Sequence, residues 1–463
     1  MGGALRGFFD VQRYATPSRP IALRRVEIGF DALHRLPDVI MAVGGERRTG
    51  GIVVLSDTVP KKRLGSEVTE LAASLASSVG PVERVTAVED ASGVHADDHT
   101  VSSAAAASAS ASVIVTVGSG TMADIGKAVA ARLREPAHVV VQTALSVNGY
   151  ADDQSVLLVD GVKRTTPTRW PDALLADTQV LAEAPLEMNL AGVGDLLAMF
   201  TAPADWGLAH LLGMDDLYSD DVVAMVREHG PALLDAAPLL RNYDVEAIEL
   251  TAKVLTLSGL SMGLAGTTAP ASGAEHTVSH LIEMAITRQR RPTALHGAQV
   301  GVATVLASLV WQHVENHVRA GARDMRCPSD AKMRPAVLRA FGHLDESGAM
   351  AEECWRAYRH KLSRWRELHG DVDELDGQHL QRATRWLGQP AALLAALRSS
   401  GAPTRMSQLD PPVDAETARW ALANCHLMRD RFTVIDLAFL LGIWEAADVD
   451  AILAQAAAME GGL

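Results

Sequence analysis

Cysteine is scarce in this chain of 463 residues. Only Cys327, Cys354 and Cys425 occur, far apart and without a CxxC pair. No disulfide framework can be drawn from them, so a reducing, cytoplasmic setting is expected. Positive charge is also short. Lys and Arg total 42 against 56 Asp and Glu, a net charge of −14. Nucleic acid and anionic membranes both require a basic face, so neither is expected as a partner. A small anionic substrate needs only a local cluster of cations and stays open. No run of about 18 apolar residues goes without polar interruption, so membrane insertion is not expected. The opening MGGALRGFFDVQRY has neither the apolar core nor the cleavage site of a signal peptide. What remains is an ordinary globular balance, 48% hydrophobic and 21% charged, long enough for two or three domains.

The stretch richest in chemistry is Pro270 to Gly301, PASGAEHTVSHLIEMAITRQRRPTALHGAQVG. His276 and His280 are four apart, which on a helix puts them on one face. His296 follows a polar break at 288–292 and is backed by Gly297, where backbone can come close. Histidines from two successive helices can meet on one divalent cation. Such a cation wants a third protein ligand and an open position for substrate. Asp195, behind Gly192 and Gly194, opens an apolar run upstream. On its own it reads equally as an acid favouring a helix N-terminus.

Along the chain, short β-branched runs alternate with helical ones up to about residue 185. Arg24–Gly29 is a strand candidate. Gly51–Ser56 is a stronger one that ends at Asp57, an acid placed either to meet ribose hydroxyls or simply to cap the strand. A helix is expected at 61–79, a strand at 83–88 and a helix over the Ala/Ser tract 101–112. Ser112–Val117 is the clearest strand. It runs into Gly118-Ser119-Gly120-Thr121 and then a helix from about 122 to 133, the order that seats a pyrophosphate on backbone N–H groups. His138–Gln142 is the next strand, followed by a polar turn. Asp160-Gly161 predicts a hairpin at about 155–165, and Pro171–Asp177 a last short strand. From Pro185 strand signals vanish and helical periodicity takes over. The expected division is a nucleotide-binding α/β domain at 1–185 and an all-helical metal and substrate domain at 186–463.

Asp195, His276 and His296, together with GSGTMADIGK at 118–127, TALSVNGYA at 143–151 and CHLMRDRFTVIDLA at 425–438, resemble the sn-glycerol-1-phosphate dehydrogenase family. That family lies in the dehydroquinate synthase and iron-containing alcohol dehydrogenase superfamily. HTVSHLIE at 276–283 is also similar to the two-histidine helix of dehydroquinate synthases. The resemblance implies a Rossmann-like parallel-sheet domain followed by an all-α domain, and a cytoplasmic homodimer. It implies NAD or NADP held by Asp57, Gly118, Ser119, Gly120, Thr121, Asp124, Thr143 and Ser146. It further implies one divalent metal on Asp195, His276 and His296, with zinc first and nickel or iron as alternatives. Asp195 and His280 are then the catalytic residues, His280 as proton relay or as support to the site. The expected reaction interconverts a small phosphorylated ketone and its alcohol. The alternative is a cyclase-type lyase that recycles its NAD.

Three departures from the family pattern fall where substrate is expected. Asn148 stands where Asp is usual, Asp152 where Ser is usual, and Met199 where a lysine or other polar residue is usual. Asn148, Met199 and Lys163 are the expected substrate-binding residues, with Arg164 and the arginines at 288, 290 and 291 as further cations for a phosphate. The match is weakest over 320–415, which reads as an insertion or an interface.

Overall fold

The computed structural model describes residues 9–16, 18–45, 50–90, 93–134, 136–159, 162–289 and 291–463. The chain divides into two compact units. One comprises Met1–Val193 with Pro231–Gly266, the other Gly194–Gly230 with Thr267–Leu463. The chain therefore returns to the first unit, whereas a single boundary at 185/186 assigns 231–266 to the helical half.

The first unit is built on six strands: β1 (Arg25–Gly29), β2 (Gly51–Ser56), β3 (Val82–Thr86), β4 (Ala111–Gly118), β5 (Ala137–Gln142) and β6 (Ala173–Asp177). All pair in parallel, in the order β1-β6-β5-β4-β2-β3. Parallel strands are covered on both faces, which is why they read as near-continuous Val/Ile/Leu runs. Alternation along β4 shares the burial out. Val113, Val115 and Val117 enter one apolar cluster with Leu36 and Val141, while Ile114 enters another with Met122 and Val129. Helix α1 (Gly120–Leu133) follows β4 directly.

The expected hairpin pairs Gln154–Val159 with Val162–Pro167, its Asp160-Gly161 tip lying outside the described residues. Two local expectations need correction. The run 61–79 begins as a small hairpin, Lys62–Arg63 on Ser66–Glu67, and becomes helix only at Val68. The Ala/Ser tract forms its helix earlier, at Asp98–Ala107, because Asp97 accepts the Thr100 N–H as a cap.

Helix α2 (Leu186–Leu196) carries the chain from the first unit into the second. Helix α3 (Val245–Ala265) belongs to the first unit. By length and composition alone it could cross a membrane, but 78% of its apolar window is buried inside the protein. The second unit holds helices α4 (Ala274–Arg288), α5 (His296–Arg319) and α6 (Ala446–Ala458), among others. Strand does not vanish here entirely. Asp324–Arg326 pairs antiparallel with Val372–Glu374, three residues on each side and too short to show periodicity. Both strands fall in the stretch the family pattern matched least.

Candidate metal and nucleotide sites

In the second unit, Asp195 closes α2, His276 sits in the first turn of α4, and His296 opens α5. Glycine allows their approach. A Cβ built on Gly194 lies 2.2 Å from the Gly297 carbonyl oxygen and 3.3 Å from the Gly301 Cα. Any side chain there would force α2 off α5. One ligand atom each from Asp195, His276 and His296 lies within 4.8 Å of the others. Asp195 Oδ1 is 3.3 Å from His276 Nε2, and the His276 and His296 rings are 5.2 Å apart.

Two carboxylates hold these imidazoles from behind. His276 Nδ1 lies 3.0 Å from Glu275 Oε1, and Glu275 in turn accepts the Thr201 hydroxyl at 2.8 Å. His296 Nδ1 lies 3.3 Å from Glu283 Oε1. With Nδ1 engaged, Nε2 of each ring is the basic nitrogen, the orientation that outer-sphere carboxylates impose on metal-binding histidines. The donor set, one carboxylate and two imidazoles, fits a divalent cation of the zinc class. Burial disfavours charge on His276, yet Asp195 and Glu275 overcome it and raise its pKa to about 9. The cluster thus concentrates negative potential where a cation would sit. His280 is 5.3 Å from His296, ring to ring. Its pKa is pushed down to about 3, by burial first and then by the nearby Arg429, so it is a neutral imidazole at working pH.

Sequence reasoning missed Glu275, Glu283 and Arg429. Each had a signal. Glu275 precedes His276, Glu283 shares the helix face of His276 and His280, and Arg429 lies in the motif at 425–438. Burial lowers the pKa of Arg429 to about 10, which leaves it charged. Arg288 instead pairs with Glu346 at 3.0 Å on the exposed surface. The arginine at 290 and the Lys163 side chain lie outside the described residues. Met199 is buried in the turn Leu197–Phe200.

In the first unit, the β4–α1 turn gathers the expected nucleotide residues. A Cβ on Gly120 would come 2.7 Å from Val147 Cγ2 and 3.8 Å from Ser146 Oγ, and one on Gly118 would be 3.9 Å from Asp57 Oδ2. The Thr143 N–H donates to the Gly118 carbonyl at 3.1 Å. Ser119 stands at the helix N-cap without using its side chain there, and Thr121 is exposed. Asp57 is paired with Lys61. Asp124 faces inward instead. Burial raises its pKa to about 7 against the pull of Lys127. Lys127 is fully buried, and its ammonium donates to Asp152, to Gln154 O and, at 2.7 Å, to Gly149 O. The unusual acid at 152 therefore serves as counter-ion to Lys127. Asn148 donates to Ser258 Oγ of α3 at 3.1 Å.

Comparison with known proteins follows the same lines. The family described as iron-containing alcohol dehydrogenase matches residues 27–185. The glycerol-1-phosphate dehydrogenase (NAD(P)+) of Bacillus licheniformis is 30% identical over 364 residues, 75% of this chain and 88% of that protein. That of Bacillus subtilis (strain 168) is 38% identical over 195 residues, 42% of this chain and 49% of that protein, so here the match spans about half the relative. A crystal structure of a probable glycerol dehydrogenase from Sinorhizobium meliloti 1021 superposes with a TM-score of 0.57 at 17% identity, over 94% of this chain and 97% of that one, and shares the fold.

Proposed function

Because the chain belongs to the glycerol-1-phosphate dehydrogenase family of the iron-containing alcohol dehydrogenase and dehydroquinate synthase superfamily, we propose that it is a metal-dependent NAD(P) oxidoreductase interconverting a small phosphorylated ketone and its alcohol. The carrying observation is the Asp195, His276 and His296 cluster with both imidazoles oriented by buried glutamates. When bound, a nicotinamide would supply or take the hydride and a divalent cation would polarise the reacting oxygen.

The chain's own residues do the positioning. Asp195, His276 and His296 hold the metal, zinc in this reading. His280, a neutral and largely enclosed imidazole, relays the hydroxyl proton or binds the substrate hydroxyl. Arg429, whose charge is felt at His280, supplies a cation for the substrate phosphate, while Arg288 is paired with Glu346 at the surface. Gly118, Ser119, Gly120 and Thr121 receive the pyrophosphate on the N-terminus of α1. Thr143 and Ser146 line the turn beside it, Asp124 supports it through Lys127, and Asp57 meets the adenosine ribose. Residues 1–185 then serve chiefly the nucleotide, and 186–463 the metal and substrate. A cytoplasmic homodimer completes the proposal.

Asn148 and Met199 replace charged or polar groups expected beside substrate, with Lys163 near them in the motif order. Asparagine is neutral and can donate, where aspartate is charged and only accepts. Dihydroxyacetone phosphate should therefore turn over poorly, and a bulkier or differently charged ketone better. Kinetics over a panel of triose and pentose phosphates, with elemental analysis, test the whole reading. Stoichiometric consumption of reduced nicotinamide is expected. Product formed without net nicotinamide change would turn the assignment toward a lyase that recycles its cofactor. Efficient glycerol 1-phosphate formation by the wild type, with no gain in Asn148→Asp, would show that the departures are neutral.

A further inference from the structure

We propose that His313, His317 and Asp448 form a second metal site, suited to a zinc-class ion and separate from the Asp195 cluster. His313 and His317 lie one turn apart on α5, so their side chains leave the same face. Their ring centroids are 4.2 Å apart. Asp448 meets them from the first turn of α6. One ligand atom from each of the three lies within 4.8 Å of the others, the same spacing that Asp195, His276 and His296 satisfy.

Backbone groups already orient all three side chains. His317 Nδ1 donates to the His313 carbonyl at 2.9 Å, which leaves Nε2 as its basic nitrogen. Asp448 Oδ2 accepts the Glu445 N–H at 2.7 Å as part of the α6 cap, so the other oxygen is the one turned to the histidines. His313 Nε2 lies 3.6 Å from that Oδ1 and donates to the Ile443 carbonyl at 3.0 Å, which leaves Nδ1 as its basic nitrogen. Such outer hydrogen bonds are what fix ligand rotamers in metal sites. The His313 and Asp448 side chains are 12% and 24% exposed, so an ion can enter from solvent. Two imidazoles, a carboxylate and water make a donor set suited to zinc.

The site lies 17 to 21 residues beyond His296 on the same helix. At 1.5 Å per residue that is roughly 26–32 Å away, too far to touch the chemistry at Asp195. Its effect is to tie α6 to α5.

The test is metal counting on the chelator-stripped full-length protein, dialysed against Zn2+ alone. Two ions per chain are expected in the wild type and one in the His313→Ala/His317→Ala variant. Equal stoichiometry in the two proteins would overturn the site. Diethyl pyrocarbonate modification of the wild type, mapped by mass spectrometry, needs no variant. Zn2+ should slow reaction at His313 and His317, and unchanged reactivity at both would also overturn it. Loss of the Asp195 site alone, as in Asp195→Ala, should remove one ion and leave this protection intact, so the two proposals fail separately.

Discussion

At the scale of single residues, burial decides which groups carry charge. His138 in β5 is fully buried. Its Nε2 shares a 2.9 Å hydrogen bond with Thr116 Oγ1, and its Nδ1 has no partner among the described residues. Burial pushes its pKa from 6.5 to about 3, helped by Arg169 and Lys127. The unfolded chain thus takes up a proton below about pH 6.5 that the folded protein refuses until about pH 3. Stability is complete above 6.5 and falls through that window at about 1.4 kcal/mol per pH unit. Urea midpoints measured from pH 7 to pH 5 should fall less steeply in His138→Gln, and parallel curves would refute the assignment. At the metal cluster, Asp195→Asn should lose the ion held there while keeping its fold, read by elemental analysis beside circular dichroism. Both histidine pairs on successive turns, 276/280 and 313/317, were visible as spacings. Only the former stood out in the sequence, because the second pair lacks the neighbouring glycines and its acid is 131 residues further on.

At the scale of elements, close crossings and buried ion pairs set the tolerances. Gly194→Ala puts a methyl group into the Gly297 carbonyl. Overpacking of this kind costs about 1–3 kcal/mol. Since Asp195 lies in the last turn of α2, metal affinity should drop together with the denaturation midpoint. A stable variant with full metal content would show that the crossing is not what aligns the ligands. Lys127→Met leaves Asp152 and Asp124 buried without their cation, and breaking such a pair costs about 3–5 kcal/mol. Adding Asp152→Ser, the residue usual in the family, should recover part of that loss in chemical denaturation. Purely additive losses would mean that the two side chains are not coupled. The β4–glycine–α1 passage was legible because a buried parallel strand, a glycine turn and a helix each have a local signature. The hairpin at 62–67 was not, since two-residue strands are too short for any period to register.

At the scale of the whole molecule, metal removal is the decisive perturbation. A ligand that binds only the folded state stabilises it by about 4 kcal/mol at a thousandfold excess over its Kd. Chelation should therefore lower the thermal midpoint and abolish turnover, and readdition of zinc should restore both. An active, equally stable chelated protein would exclude the proposed role of Asp195, His276 and His296. The strand and helix periods, the glycine turn and the ligand types were written locally along the chain, because each depends on a few neighbouring side chains. The assignment of Val245–Ala265 to the sheet-bearing unit was not, and neither was the use of Asp152 to neutralise Lys127. The same holds for the placing of Glu275 and Glu283 behind the histidines and for the meeting of Asp448 with His313. These rest on contacts between residues far apart in sequence. A helix's periodicity shows which face it buries, but the partner it buries against is set only when distant segments pack.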